Sequence, residues 1–399
     1  MRIRYGMVGG GPDAFIGAVH RMAARLDGRL ELVAGAFAST AERSRRAGAE
    51  LGLDPARVYD SWEAMVDAEA SAPAGERIAL VSIVTPNHLH HPVAKAFLEA
   101  GVHVVCDKPL ATTLADAEDL CRATAARGRV FCVTHNYTGY PMVKEARERV
   151  RRGALGEIRK VEVAYAQGWL ATRLEADGQK QAEWRADPAR AGASSVLGDI
   201  GSHGHDLARY VTGLEVEELL ADIGTAVEGR AADDDAAVLM RLEGGVRGLL
   251  SASQVATGER NGLRLAVYGS EGGLTWRQER PDELRLTGLD GSQRMLFDGA
   301  GDLSERARAH LRLPAGHPEG FIEAFANLYR NVAATVARRD AADAAGRAPA
   351  GSAAVPPAGP FDDDFPTVSD GARGVAFLDA AVRSSRKRRW VDARYDPPC

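Results

Sequence analysis

Lys108 stands where an apolar run stops. The stretch from Val104 to Thr113 reads VVCDKPLATT, so Cys106-Asp107-Lys108-Pro109 ends what reads as a buried strand. A lysine followed by a proline there is either a solvated turn residue or an ammonium aimed into a crevice, with the proline fixing the turn that presents it. Far downstream, GDIGSHGHD spans residues 198–206 and spaces Asp199, His203 and Asp206 at i, i+4 and i+7. On a helix those three share one face. A carboxylate one turn from an imidazole can orient it and stabilise its protonated form. Alone, such a pair is commonly a surface ion pair, and Asp206 reads as structural. An ammonium, an imidazole and a carboxylate brought together could take a proton from an alcohol and hold the charge that develops on its oxygen.

The elements that must position Lys108 alternate along the first third of the chain. Strand-like runs at 2–8, 30–37, 78–84, 102–106 and 129–134 are separated by helical stretches at 18–26, 41–51, 92–100 and 114–126. This alternation requires parallel pairing with right-handed crossovers. Open parallel sheets bind ligands outside the carboxyl ends of their strands, and Lys108 lies at one of those ends. So does Gly9-Gly10-Gly11, followed by Gly17 and His20. Glycines there let the backbone approach a pyrophosphate at a helix N-terminus. The gap from Gly11 to Gly17 is longer than G-x-G-x-x-G allows, so residues 12–16 read as an insertion. Gly9, Gly11, Phe15 and Ile16 are expected against the cofactor.

At the end of the second strand an acidic residue would hold the adenosine ribose. The chain has Phe37-Ala38-Ser39-Thr40 instead, with Arg43 a turn later. Ser39, Thr40 and Arg43 could hold a 2′-phosphate, which tips the expectation from NAD towards NADP. Otherwise they are a helix N-cap and a surface arginine. After the third strand, Thr85, Pro86 and Asn87 are placed at the nicotinamide side. His88, His90 and His91 lack a neighbouring carboxylate or cysteine to complete a metal set, so no metal is expected.

Beyond residue 135 the pattern changes. A helix over 140–152 precedes longer, alternating strand-like runs at 158–167, 216–227, 235–243, 246–254, 263–269 and 273–278. These predict a largely antiparallel sheet. Helices are expected at 321–338 and 368–383, and the Ala/Gly/Pro-rich residues 340–360 read as a mobile loop. The chain of 399 residues therefore divides into a dinucleotide-binding domain over 1–134 and a substrate-binding and oligomerisation domain over 135–399. A formal net charge of -5 gives no electrostatic case for nucleic acid. No apolar run is long enough for a membrane span, and no signal-peptide core precedes the first strand. The four cysteines show neither metal nor redox spacing. They are expected as reduced thiols of a cytoplasmic protein.

Several motifs, in order and over nearly the whole chain, resemble the glucose–fructose oxidoreductase / inositol dehydrogenase / MocA (Gfo/Idh/MocA) family. Asp107-Lys108-Pro109 stands where that family has Glu-Lys-Pro. Residues 85–90 (TPNHLH) match its Thr-Pro-Asn-x-x-His, and residues 153–158 (GALGEI) its Gly-x-Leu-Gly-x-Ile. Trp184 to Pro188, followed by Asp199 to His203, match Trp-Arg-x-Asp-Pro and Asp-x-Gly-x-His. The resemblance implies an α/β Rossmann domain followed by an α+β domain with a large, mostly antiparallel open sheet. It also implies sheet faces that pair into homodimers or homotetramers.

By the same resemblance Lys108, Asp199 and His203 form the catalytic set, and Thr85, Pro86, Asn87, His90, Asp107 and Lys108 touch NAD or NADP. Asn136, Tyr137, Trp184, Arg185 and His317 join the catalytic set around a sugar or polyol substrate. The expected activity is hydride transfer between nicotinamide and a secondary alcohol of a sugar, glycoside or cyclitol. Here His203, with a pKa close to neutral, acts as base, and Asp199 orients it or binds a neighbouring hydroxyl. The alternatives are a non-catalytic dinucleotide-binding regulator, a tightly bound cofactor shuttling hydride between two sugars, and a reductase of a non-sugar compound.

Overall fold

The computed structural model describes every residue except 1, 13, 74, 178–191, 345–360 and 362. Its first sheet has five strands in the order β2-β1-β3-β4-β5, all paired in parallel. They are β1 (Ile3–Gly9), β2 (Leu30–Ala36), β3 (Leu80–Val84), β4 (His103–Cys106) and β5 (Phe131–Val133). Every residue of β3, β4 and β5 is buried, which is why these runs read as continuously apolar rather than alternating. The register aligns Gly9 with Val84, Ile83 with Cys106, and Cys106 with Val133. Four carboxyl ends therefore lie on one edge. The strand order reverses between β1 and β3, where such sheets open a crevice.

The second sheet has nine strands in the order β13-β12-β11-β10-β6-β9-β8-β7-β14. They are β6 (Ile158–Ala166), β7 (Val216–Gly224), β8 (Asp235–Leu242), β9 (Val246–Ser253), β10 (Gly262–Gly269), β11 (Gly272–Arg277), β12 (Arg280–Gly288), β13 (Gln293–Phe297) and β14 (Val391–Asp392). All neighbours are antiparallel except β6 and β9. The helices Pro141–Arg151 and Ser202–Thr212 cover one face, so β8 buries every second residue.

The sequence boundary at 134/135 is not a boundary in packing. Phe325, Tyr329 and Val332 of the helix Phe321–Ala344 join Tyr5, Met7 and Val19 in one core of the first sheet. Val368, Ala372 and Val375 of the helix Val368–Lys387 join the other. Residues 340–344, expected in a mobile loop, end the long helix, and Asp340 pairs with His103 at 3.2 Å; residues 345–360 lie outside the described residues. The expectation of four reduced cysteines is corrected for two, since Cys121 and Cys399 form a disulfide while Cys106 and Cys132 are free and buried. Among the described residues, no helix is long and apolar enough to cross a membrane.

Candidate active site

A cavity of about 1510 Å³ runs along the carboxyl edge of the first sheet and across to the second. At one end the chain leaves β1 through Gly9 (φ 76°) and Gly10 (φ 64°). A Cβ on Gly9 would lie 2.3 Å from the Val84 carbonyl oxygen, and one on Gly17 2.3 Å from that of Gly10. The loop can therefore fold tightly against the helix Phe15–Leu26 only as glycine. That helix has no side-chain cap and no acidic residue in its first turn, which leaves first-turn N–H groups for an anion. Gly9, Gly11, Phe15 and Ile16 all line the cavity.

Beyond the end of β2 the wall contains Ser39 and Arg43, and also Arg46, Glu50, Asp60 and Glu63. Thr40, beside Ser39, is the exposed N-cap of the helix Ala41–Glu50, makes no side-chain cap bond and does not itself line the cavity. Thr85, Pro86 and Asn87 line the middle of the cavity, and Thr85 Oγ1 is buried without a hydrogen-bond partner. His90 is fully buried behind the wall, with Nδ1 2.7 Å from the Pro109 carbonyl oxygen and Nε2 3.0 Å from that of Thr85. Its neutral ring sits between the loops after β3 and β4 instead of lining the cavity, and its single N–H donates to one of the two carbonyls.

Lys108 answers the question its sequence raised. The Asp107 N–H donates to the Ile83 carbonyl at 3.0 Å, extending the ladder one residue past β4. The Lys108–Pro109 peptide is cis. From there Lys108 Nζ donates to Asp199 Oδ1 at 2.9 Å and to the Asp199 main-chain oxygen at 2.5 Å. Asp199 Oδ2 accepts from Gln254 Nε2 at 2.8 Å. Asp199 sits on a π-helical turn, Leu197–Gly201, that runs into the helix Ser202–Thr212; such turns recur at functional sites. The Asp233 carboxylate fixes the approach to this turn, accepting from Ser194 Oγ at 2.7 Å and Val196 N at 2.8 Å.

The wider turn changes the expected pairing. Among the described residues, the Asp199 side chain bonds to Lys108 and Gln254, and neither of those bonds involves His203. His203 lines the cavity with its ring edge-on to Tyr137 (centroids 4.8 Å apart) and to His135 (5.4 Å). Its Nδ1 is buried without a partner. Burial, then the Lys108 charge and His135, push its pKa well below the usual imidazole value, while Asp199 pulls the other way. The near-neutral pKa expected from sequence is thus corrected: the resting imidazole is neutral, with a lone pair available, and burial beside Lys108 makes it a weaker base than a free imidazole.

Around this point lies a wall of uncharged hydrogen-bonding groups. Asn136 and Tyr137 line it as expected, and Asn136 Nδ2 is buried without a partner. Tyr137 Oη lies 2.5 Å from Tyr165 Oη, which donates to Asn261 Oδ1 at 2.6 Å. Gln167 Nε2 donates to the same oxygen at 2.8 Å, and Trp169 Nε1 to Gln167 Oε1 at 3.0 Å. Burial raises the pKa of both tyrosines, which keeps them as donors. Sequence reasoning missed Tyr165, Gln167, Trp169 and Asn261. Alternation offered a signal for Tyr165, which shares an inward face of β6 with Val161 and Val163; Asn261 precedes β10 and carries none. His317 is exposed on a turn, with Nδ1 3.1 Å from the Pro314 carbonyl, and does not line the cavity. Trp184 and Arg185 lie outside the described residues.

The glycine cradle, the open helix terminus and the unpartnered Thr85 and Asn136 atoms fit an extended anionic ligand ending in a polar ring. Comparison with known proteins agrees. Residues 3–135 match the family model described as "Oxidoreductase family, NAD-binding Rossmann fold". Residues 143–275 match "GFO/IDH/MocA C-terminal domain". The chain is 33% identical over 400 residues to "Uncharacterized oxidoreductase YfiI" of Bacillus subtilis (strain 168), covering 98% of this chain and 96% of that one. An inositol dehydrogenase homolog of Azotobacter vinelandii, solved with NAD+, superposes with a TM-score of 0.90 at 37% identity, covering 98% of this chain and 97% of that one. Levoglucosan dehydrogenase, solved with NADH and levoglucosan, gives a TM-score of 0.79 at 25% identity, covering 98% of this chain and 99% of that one. The chain belongs to the GFO/IDH/MocA family of NAD-binding oxidoreductases.

Proposed function

We propose that the protein is a nicotinamide-dependent dehydrogenase that oxidises, reversibly, a secondary alcohol of a neutral sugar, glycoside or cyclitol. The observation that carries this is the Lys108–Asp199 contact beside His203, whose buried Nδ1 has no hydrogen-bond partner, in the cavity wall. On this reading residues 1–134 hold the dinucleotide and residues 135–399 the substrate. The glycine loop and the first turn of the helix Phe15–Leu26 would hold the pyrophosphate, and Thr85, Asn87 and Asn136 the nicotinamide end. When bound, the nicotinamide supplies the hydride acceptor. His203 accepts the hydroxyl proton. Lys108, already aimed by Asp199, donates to the same oxygen and offsets its developing negative charge. Tyr137, Tyr165, Asn261 and Gln167 would donate to and accept from the remaining hydroxyls, which suits a polyol. The relatives named inositol 2-dehydrogenase and levoglucosan dehydrogenase act on such compounds.

Ser39, Arg43 and Arg46 suit a 2′-phosphate, which favours NADP; Asp60 and Glu63 in the same wall suit free ribose hydroxyls, and the solved relatives were crystallised with NAD+ or NADH. Fluorescence titration with both dinucleotides decides between them. A panel of inositols, hexoses and glucosides, followed at the reduced-nicotinamide absorbance, then tests the activity. Turnover of at least one panel member is expected. Tight binding without turnover of any would move the protein to the regulator or shuttle readings.

A further inference from the structure

Behind the cavity wall, five elements send polar side chains to one buried point. His20 comes from the helix Phe15–Leu26, Ser82 from β3, Asp107 and Thr134 from the ends of β4 and β5, and Tyr329 from the helix Phe321–Ala344. His20 and Ser82 are fully buried and Tyr329 is 2% exposed. Tyr329 Oη lies 2.7 Å from His20 Nδ1 and 2.6 Å from Ser82 Oγ. On the other side of the ring, His20 Nε2 is buried with no hydrogen-bond partner and faces Asp107 Oδ1 at 3.5 Å, a charge contact longer than a hydrogen bond. That same oxygen accepts from Thr134 Oγ1 at 2.5 Å. Phe325, which lines the cavity, packs against the His20 ring with centroids 5.0 Å apart.

Packing alone gives no reason for this cluster. Burying four polar side chains (His20, Ser82, Thr134 and Tyr329) costs stability unless each is satisfied, and apolar groups of the same size would fill the space as well. The hydrogen bonds can run either way, but only with Ser82 donating to Tyr329 and Tyr329 to Nδ1 does a ring N–H, rather than a lone pair, face the Asp107 carboxylate. The imidazole proton then sits on Nε2, facing Asp107. Asp107 is one methylene shorter than the glutamate of the motif it resembles, and its Oδ1 is held by Thr134 on the side of His20. Burial would raise its pKa, but the contacts with His20 and Thr134 outweigh burial and keep it ionised.

We propose that His20 is a positioning residue, holding the Asp107 carboxylate as a fixed anion in the cavity wall beside Lys108, with Tyr329 and Ser82 setting its tautomer. This rests on the reading of the cavity as a nicotinamide site. A fixed negative charge there favours the cationic oxidised ring over the neutral reduced one, so the network biases the cofactor pair. Because Tyr329 comes from the C-terminal part of the chain, the bias also depends on that helix being docked against the first sheet.

The test is the ratio of oxidised to reduced dinucleotide affinities, by fluorescence titration of whichever of NAD or NADP binds more tightly. The proteins compared are wild type, His20→Leu, His20→Gln and Tyr329→Phe, each checked for fold by circular dichroism. His20→Leu is expected to weaken the oxidised form relative to the reduced form by about fivefold or more. His20→Gln, whose amide can still reach Asp107, should recover most of the ratio. Tyr329→Phe should shift it the same way by less. A ratio unchanged in folded His20→Leu, or in Tyr329→Phe should the leucine variant not fold, overturns the inference alone. Wild-type protein that bound neither dinucleotide would overturn the reading of the cavity along with it.

Discussion

Lys108 Nζ is bonded to both the Oδ1 and the main-chain oxygen of Asp199, at 2.9 and 2.5 Å. One residue ends a strand of the first sheet and the other sits on the turn that precedes a helix of the second. The bond therefore spans the cavity and ties the ammonium's position to how the two layers meet. Both partners are largely buried, with side chains 16% and 14% exposed, so the pair is far less screened than a surface bridge. Asp199→Asn keeps one acceptor and removes the charge. It should lower kcat by about ten- to a hundredfold with little change in dinucleotide affinity. Steady-state kinetics beside fluorescence titration would show it, and an unchanged kcat would remove Asp199 from the site.

Gly17 packs against Gly10 more closely than any side chain permits. In Gly17→Ala the new methyl meets the Gly10 backbone, with its carbonyl oxygen at 2.3 Å and its Cα at 2.5 Å. The loop and the helix terminus must separate. Dinucleotide affinity should fall about tenfold or more while the far-ultraviolet circular dichroism stays that of the wild type. Wild-type affinity in this variant would show that the loop does not hold the pyrophosphate.

Acid should unfold the protein earlier than its carboxylates alone would require. Burial first, joined in several cases by neighbouring cations, lowers the pKa of His90, His103, His203 and His205, and takes His135 and His310 down to about 3. These rings stay neutral in the native state, whereas the unfolded chain binds their protons below about pH 6.5. Their contribution is therefore intact above that pH and lost as the pH falls. For His135 and His310 the loss runs between about 6.5 and 3, at up to about 1.4 kcal/mol per pH unit for each ring. Urea unfolding at pH 7.5, 6 and 5 should show a steadily falling midpoint; a flat profile would contradict the neutral, buried assignment.

Lys144 and Asp364 form a fully buried ion pair at 2.8 Å. Arg147 and Arg306 also reach Asp364, at 3.2 and 3.0 Å. Lys144→Met should destabilise the protein by about 3 kcal/mol, the low end of the range for breaking a buried pair, because the arginines remain to hold the carboxylate. A change below about 1 kcal/mol in chemical denaturation would show that the arginines suffice.

Much of the fold could be read directly because β1 to β5 are short, buried and separated by amphipathic helices. Burial makes a strand uniformly apolar, and a glycine cluster at its end then marks a tight turn into the following helix. The helix Trp62–Ser71 and the strands β12 and β13 were not anticipated. That helix buries only Met65 and Glu69; β12 buries a single leucine among charged and polar residues, and β13 buries Leu296 while leaving Met295 and Phe297 exposed, so no period stands out. In the site, Lys108, Asp199 and His203 were legible through motif order. The π-turn was not, because a turn one residue wider than α leaves no mark on an i, i+4 pattern. Nor was the role of His90, since sequence does not show on which side of a loop a ring faces. Tyr165 and Asn261 came from elements whose spacing to the motifs is set only by the second sheet's register.

The proposed chemistry depends most directly on Lys108, and the measurement that tests it is Lys108→Ala in parallel assays of turnover and dinucleotide binding. The panel substrate that the wild type oxidises is used for both proteins. The kcat should be lower by about three orders of magnitude, as for removal of a group that stabilises charge at the reacting oxygen. The dinucleotide Kd should change by no more than about threefold. Equal turnover in the alanine variant would contradict the assignment of Lys108 to the reacting oxygen.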